Sequence, residues 1–200
     1  MPPTAVATPK ILTNAGYLFV TATTTAIPTF AATASVFSDA WPAAWLPLGA
    51  TEDGSTFSYE TNVEPVTVAE FFDPISQQTT SRQGSFSFNL ASYTLSNLLR
   101  AFNQGPGTAT GIASPDSGTG ATAVYSAGPP TPGNEVRVQL GWESLDNTMR
   151  LLVFQCINGG TIESAFKKAP DKAVIPCTFN FEVPASGLPF KFYGTQTRNI

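Results

Sequence analysis

Side chains able to do covalent or acid–base chemistry are few and scattered in this 200-residue chain. There is no histidine, which removes the commonest general base, most Ser–His and Cys–His pairs and most zinc sites. Cys156 and Cys177 are the two thiols; a bridge is geometrically possible if their strands are neighbours, but two buried free thiols is the favoured reading. The 14 carboxylates leave one enzymatic route, a glycosidase working with two acids at a fixed separation, and no pair here is placed that way by strand spacing. Glu52 and Asp53 are adjacent on what reads as a turn, so their side chains point apart into solvent. The glycines of 103–134 lack the Gly-Lys-Ser/Thr and the strand–loop–helix setting of a phosphate loop. Trp41, Trp45 and Trp142 are candidates for a carbohydrate platform in a lectin-like sandwich, although packing against a core or a neighbour is the favoured role. The expectation is a protein that is not an enzyme, with no catalytic residue, no metal site and no cofactor.

The elements point the same way. In Gln83–Gly105 a strand pattern passes into a helix pattern: Phe86, Phe88 and Leu90 alternate with Ser85, Ser87 and Asn89, and Leu95, Leu98, Leu99 and Phe102 then recur at helical spacing. This predicts one helix over about Tyr93–Asn103, capped by Ser92, with Arg100 set against the helix dipole and Gly105-Pro106 as the stop. The rest reads as strands, so the fold class is mainly β with one flanking helix.

Residues 1–35 read as an arm with one short strand at Gly16–Val20, and 36–200 as a single β domain. Asp53-Gly54 has the signature of a tight hairpin joining Trp45–Ala50 to Phe57–Glu60. From Asn62 to Phe72 neither face is cleanly apolar, and Pro65 keeps that strand at an edge; Val63–Arg82 is predicted to be a long hairpin extension. Asn103–Asn134 is nearly all Gly, Pro, Ser, Thr and Ala and reads as a flexible insert. The C-terminal third holds the densest strand region. Val136–Trp142 alternates, Thr148–Ile157 is apolar on both faces, Glu163–Phe166 has room for one helical turn, Ala173–Val183 alternates again, and Leu188–Tyr193 is a last strand.

Only 12% of residues are charged while 42% are hydrophobic, including 15 Phe, which predicts an obligate oligomer hiding much of its surface against copies of itself. A net charge of −4 argues against a surface that grips nucleic acid. No secretory profile opens the chain and no run spans a bilayer, so an intracellular, soluble protein without a membrane partner is expected.

With these pieces in order, the chain resembles the major tail tube proteins of long-tailed, non-contractile bacteriophages. The resemblance lies in Asp39–Gly54 (DAWPAAWLPLGATEDG), Val68–Ile75 (VAEFFDPI), the strand–helix unit Gly84–Phe102, and Lys167–Ala173 leading to Pro184–Phe190. It covers most of the chain outside the arm and the Gly/Pro-rich insert. It implies a small antiparallel β-sandwich or barrel flanked by one helix, six copies joining strands into a ring, and rings stacking into a tube that conducts double-stranded DNA into the host. It also implies a place in the virion tail, assembly in the host bacterial cytoplasm, and a tape-measure protein, a tail terminator and a distal tail protein as partners. The hairpin would reach the adjacent ring, which assigns inter-ring contact to Val63, Glu64, Val66, Phe71, Phe72, Asp73, Pro74 and Arg82. DNA carries about one negative charge per 1.7 Å of axis, so a conduit is best lined by acidic or neutral groups. Glu60, Glu64, Glu70 and Glu182 are the candidate bore acids. Other virion structural proteins, such as a head decoration or head–tail joining protein, share the composition and would form a single ring or a lattice.

Overall fold

The computed structural model describes residues 16–33, 36–106, 124–166, 171–185 and 187–195. Residues 1–15 and 34–35 of the N-terminal arm and 107–123 of the 103–134 insert lie outside the described residues.

Among the described residues eight strands form one antiparallel sheet: β1 (Gly16–Ala22), β4 (Leu46–Pro47), β5 (Thr51–Val66), β6 (Ser76–Leu90), β7 (Val138–Ser144), β8 (Met149–Asn158), β9 (Ile175–Phe181) and β10 (Phe190–Gly194). Their order is β4-β1-β7-β8-β9-β6-β5, with β10 also on β8. A separate two-stranded piece pairs β2 (Ala32–Thr33) with β3 (Val36–Phe37). The mainly antiparallel β class is therefore as expected, and the arrangement is of sandwich type.

The sheet stays open, yet its two edge strands β4 and β5 follow one another in the chain with only Leu48–Ala50 between them. It curls accordingly. Leu18 and Val20 of β1, with Leu46 and Leu48, share one core with Phe86, Phe88 and Leu90 of β6 and Ile175, Cys177 and Phe179 of β9. The alternation read in β6 and β9 is realised residue by residue, because a period of two sends the apolar set inward and Ser85, Ser87, Asn89 and Thr178 outward. β8 is buried on both faces, as its double apolar character required. One face joins this core, while Leu152 and Phe154 meet Trp45, Trp41, Phe30 and Phe19 on the other.

Several sequence expectations are corrected. The helix α1 is Leu95–Ala101, and its cap is Thr94, whose hydroxyl accepts from Asn97 N at 3.2 Å. Ser92 instead accepts from Ala50 N at 2.9 Å. The stop is not Gly105 but Asn103, left-handed at φ 57°: Gln104 N donates to Leu99 O and Asn103 N to Arg100 O, the paired bonds that close a helix C-terminus. Arg100 stands in the last turn of α1, as expected, but it is buried, and burial lowers its guanidinium to about 10, still charged at neutral pH. Of the predicted stripe, Leu99 is buried while Leu95, Leu98 and Phe102 are half-buried, since the inward face of α1 also carries Asn97, Arg100 and Ala101.

Asp53-Gly54 is no turn. β5 runs straight through it, with a register shift between Thr51 and Ser55 and Gly54 at φ 80°, so the signature marks a bulge. Trp45–Ala50 supplies only the two-residue β4, and Glu163–Phe166 is not helical. Val136 and Val183 lie outside β7 and β9 and are exposed. The strand read at Gly16–Val20 is real but is not part of a detached arm: β1 lies between β4 and β7, and Phe30 packs on Trp41 and Tyr193.

Trp45 is buried and Trp41 stacks on Phe19 at 4.5 Å, so these two rings are packing residues and not an open platform. Gly141 makes that packing possible, because a Cβ there would strike Trp41. Cys156 and Cys177 are buried and free, as favoured. Burial pushes the Cys177 thiol up to about 12 and the Cys156 thiol well above its usual value, with the Glu182 charge adding to the latter. A thiol whose folded value is raised stabilises the fold fully below about pH 9 and loses that contribution as pH climbs toward 12. Each unit in that window is expected to cost about 1.4 kcal/mol per thiol. Urea midpoints measured from pH 8 to 11 should fall less steeply in Cys177→Ala than in the parent; parallel curves would refute this.

Candidate functional site

The largest feature outside the core is the β5–β6 hairpin. Its base is held from three sides: Phe57 pairs across from Phe86, Phe86 from Phe179, and Phe57 also meets Phe181, Phe190 and Phe192 at 5.7, 5.0 and 5.1 Å. Gly84 belongs to this packing, since a Cβ there would run into the Phe181 ring. Beyond it the support ends. From Ser58 to Gln83 every residue is exposed except half-buried Val68.

The distal ribbon is still a regular ladder. Asn62 pairs with Ser81 and Val63 with Thr79, leaving Thr80 as an extra residue on β6, a second bulge that increases local twist. Asn62 Nδ2 donates to Ser81 Oγ at 3.0 Å, and Thr80 Oγ1 donates to Asn62 O at 3.3 Å. Pro65 lies on the outermost strand, where its missing N–H costs no ladder bond. β5 ends at Val66, so the expected strand through Phe72 is replaced by a tip loop, Thr67–Ile75, held by Phe71 N donating to Val68 O and Ile75 N to Val66 O.

All eight residues assigned to inter-ring contact fall on this one ribbon: Val63, Glu64 and Val66 on β5, Phe71, Phe72, Asp73 and Pro74 in the tip, and Arg82 on β6. Phe72 is fully exposed and Phe71 is 63% exposed. Burying two such rings would stabilise a contact by about 1.5–3 kcal/mol each.

The candidate bore acids divide. Glu60 and Glu64 are four apart on β5 and so share a face, and Glu70 is in the tip loop. Glu182 is set apart at the end of β9, accepting from Gln155 Nε2 at 2.8 Å and from Arg137 Nε at 3.2 Å. These bonds hold its carboxyl below the usual range. Its charge is therefore matched within the chain. Residues 51–90 carry six acids against one base, Arg82, so the acidic excess of the whole chain resides in the hairpin.

The face of β5, β6 and β9 turned away from the core carries no charge at its base. Thr56, Ser58, Ser85, Ser87, Asn89, Thr178 and Asn180 line it, and Ser87 Oγ lies 3.2 Å from Thr178 Oγ1. Glu60 and Glu64 extend the same face outward along the ribbon. Nothing in this surface offers a nucleophile with a base, and among the described residues no group of three His, Cys, Asp or Glu could hold a metal ion. No protein-family profile matches this sequence, and no curated protein is significantly similar to it. Among the described residues no helix is long and apolar enough to cross a membrane.

Sequence reasoning missed two polar clusters. Arg150 and Glu143 form a buried pair beneath Phe30, Phe37 and Trp41, and Asn97 joins α1 to both Leu48 O and Ser92 O. A signal existed for the first: Arg150 is a lone cation in an apolar strand, and Glu143 faces it symmetrically across the Ser144–Thr148 turn.

Proposed function

We propose that this chain is a structural subunit whose copies join into rings and stack into a hollow tube, as the major tail tube protein of a non-contractile phage tail, forming the conduit for DNA ejection. The observation that carries the reading is the projecting hairpin. Its distal ribbon has both faces and the β5 edge in solvent, an arrangement that two strands do not sustain well alone. Open edges of this length template pairing with further chains, and repetition of identical subunits satisfies them.

The electrostatics support the same role. A surface of hydroxyls and amides, flanked by Glu60 and Glu64, gives a phosphate backbone no cation to hold it. DNA would pass along it without sequence-specific contact. In this reading the subunit resides in the virion tail and meets a tape-measure protein, a tail terminator and a distal tail protein at the tube's interior and ends.

Negative-stain microscopy of the purified protein at high concentration tests it. Hollow rods built of stacked rings are expected, and Phe71→Ser with Phe72→Ser should remove them while leaving the circular dichroism spectrum unchanged. Particles carrying Glu60→Lys, which lies outside the residues assigned to inter-ring contact, should assemble yet eject DNA more slowly. A monomer that stays dispersed at every concentration sinks the proposal, and single rings or flat lattices would move it to a head decoration or head–tail joining role.

A further inference from the structure

We propose that the hairpin tip of one copy seats in a groove on the outer face of β8 in a second copy, between Ile27 and Pro184 and beside Lys191; this rests on the self-assembly reading above. The groove has a volume of about 420 Å³ and is lined by Thr25, Ile27, Gln139, Phe154, Pro184 and Ala185. Ile27 is 46% exposed at its mouth, while buried Phe154 packs with Trp45 and Leu152 and gives it a firm floor. A dry apolar cavity of about 150 Å³ takes up benzene. This groove therefore has room for two phenyl rings.

Charge selects the occupant. Lys191 pairs across from Leu152, which with Phe154 and Tyr193 belongs to the second aromatic cluster, and its ammonium lies 5.0 Å from the Tyr193 centroid. It is thus on the same face as the groove. Phe154 N donates to Pro189 O at 2.9 Å, so β10 begins at the groove's edge and Lys191 follows two residues on, about 7 Å along the strand. Among the described residues only Lys191 and Arg82 are exposed cations without an ion pair, and Arg82 belongs to the hairpin itself. The tip reads Glu70-Phe71-Phe72-Asp73, two exposed rings between two carboxylates that have no cationic partner. The rings enter the groove and an acid meets Lys191. A contact of this kind buries apolar area while matching a base with an acid.

The chain's own tip cannot make this contact. Its hairpin leaves the domain on the opposite face, where Phe57 and Tyr59 meet Phe190, which pairs with Val153 of the main core. From Tyr59 the ladder continues to Val66, which sets the tip on the order of 20 Å further out at ~3.3 Å per residue. The tip must therefore reach the groove of another molecule. Because tip and groove are different surfaces, the contact is heterologous and repeats from copy to copy.

Cysteine cross-linking tests the assignment, since both native thiols are buried. Chains carrying Phe72→Cys are mixed with chains carrying Ile27→Cys under mild oxidation. A disulfide between residues 72 and 27, found by mass spectrometry and absent when Tyr17→Cys replaces the Ile27 variant, is expected. Lys191→Glu should raise the concentration needed for rods at least tenfold, and Glu70→Lys with Asp73→Lys in the same chain should restore assembly. Normal rods with no 72–27 link and no response to Lys191→Glu would overturn the receiving groove and leave the tube reading standing. Absence of rods from the unmodified chain would overturn both.

Discussion

Arg150→Met is expected to destabilise the fold by about 3–5 kcal/mol, the range for stranding one member of a buried ion pair. Arg150 is 2% exposed and Glu143 6%. Arg150 Nε donates to Glu143 Oε1 at 2.7 Å, one Nη to Asp39 O at 2.6 Å, and Trp41 Nε1 to Glu143 Oε2 at 2.8 Å. The guanidinium carbon lies 4.6 Å from the centroids of both Phe30 and Phe37, so aromatic faces complete its surroundings. Met fills much of the volume but leaves the Glu143 carboxylate buried with only the Trp41 donor. The variant should melt on the order of 10 °C lower, as ~2–4 °C per kcal/mol implies for a chain of this size. Pairing it with Glu143→Gln should recover part of the loss by removing the stranded charge. A single variant within 1 kcal/mol of the parent by urea unfolding would show that the cluster is not what fastens the Phe30–Trp41 segment to β8.

The second large effect is expected at Asn97. Its Nδ2 donates to Leu48 O at 3.0 Å and to Ser92 O at 2.7 Å, while its Oδ1 accepts from Arg100 Nη1 at 2.6 Å. Leu48 opens the link between the two sheet edges and Ser92 follows the end of β6, so this one amide stitches the base of the hairpin to α1. Asn97→Ala leaves three buried polar groups without partners, each worth about 1–3 kcal/mol, and a net loss of about 3 kcal/mol is expected because such costs overlap. Asn97→Asp separates the contributions. It keeps an acceptor for Arg100 but presents oxygen to two carbonyls, so it should be nearly as damaging as Ala. Amide hydrogen exchange near Ala50 and Ala91 should quicken in both variants. A well-tolerated Asp would show that Arg100, and not the two carbonyls, is what Asn97 serves.

Both clusters explain why the helix was only partly legible. A spacing of three and four marks Leu95, Leu98, Leu99 and Phe102 as a stripe, but it cannot reveal that Asn97 and Arg100 turn inward, because their partners lie 49 residues back and six residues on. Ser92 and Thr94 are both good caps in sequence. The choice fell to Thr94 because the Ser92 hydroxyl is taken by Ala50 N, a contact made by the sheet edge.

What the sequence determined by itself is what depends on neighbours along the chain. Alternation placed the inward faces of β6 and β9, double apolar character identified β8 as a strand covered on both sides, and the lack of apolar pattern around Pro65 marked an unsupported hairpin at an edge. Such signals survive without long-range information because side-chain direction follows backbone period. Tertiary structure decided the rest. It turned Asp53-Gly54 from a turn into a bulge, because β6 was long enough to pair with β5 on both sides of it. It drew Glu182 out of the set of free acids, because Arg137 and Gln155 stand beside it only once β8 and β9 are paired. It also set Phe192 against Phe57 with part of its ring exposed, because that contact forms only once β5 and β10 have both joined the sheet.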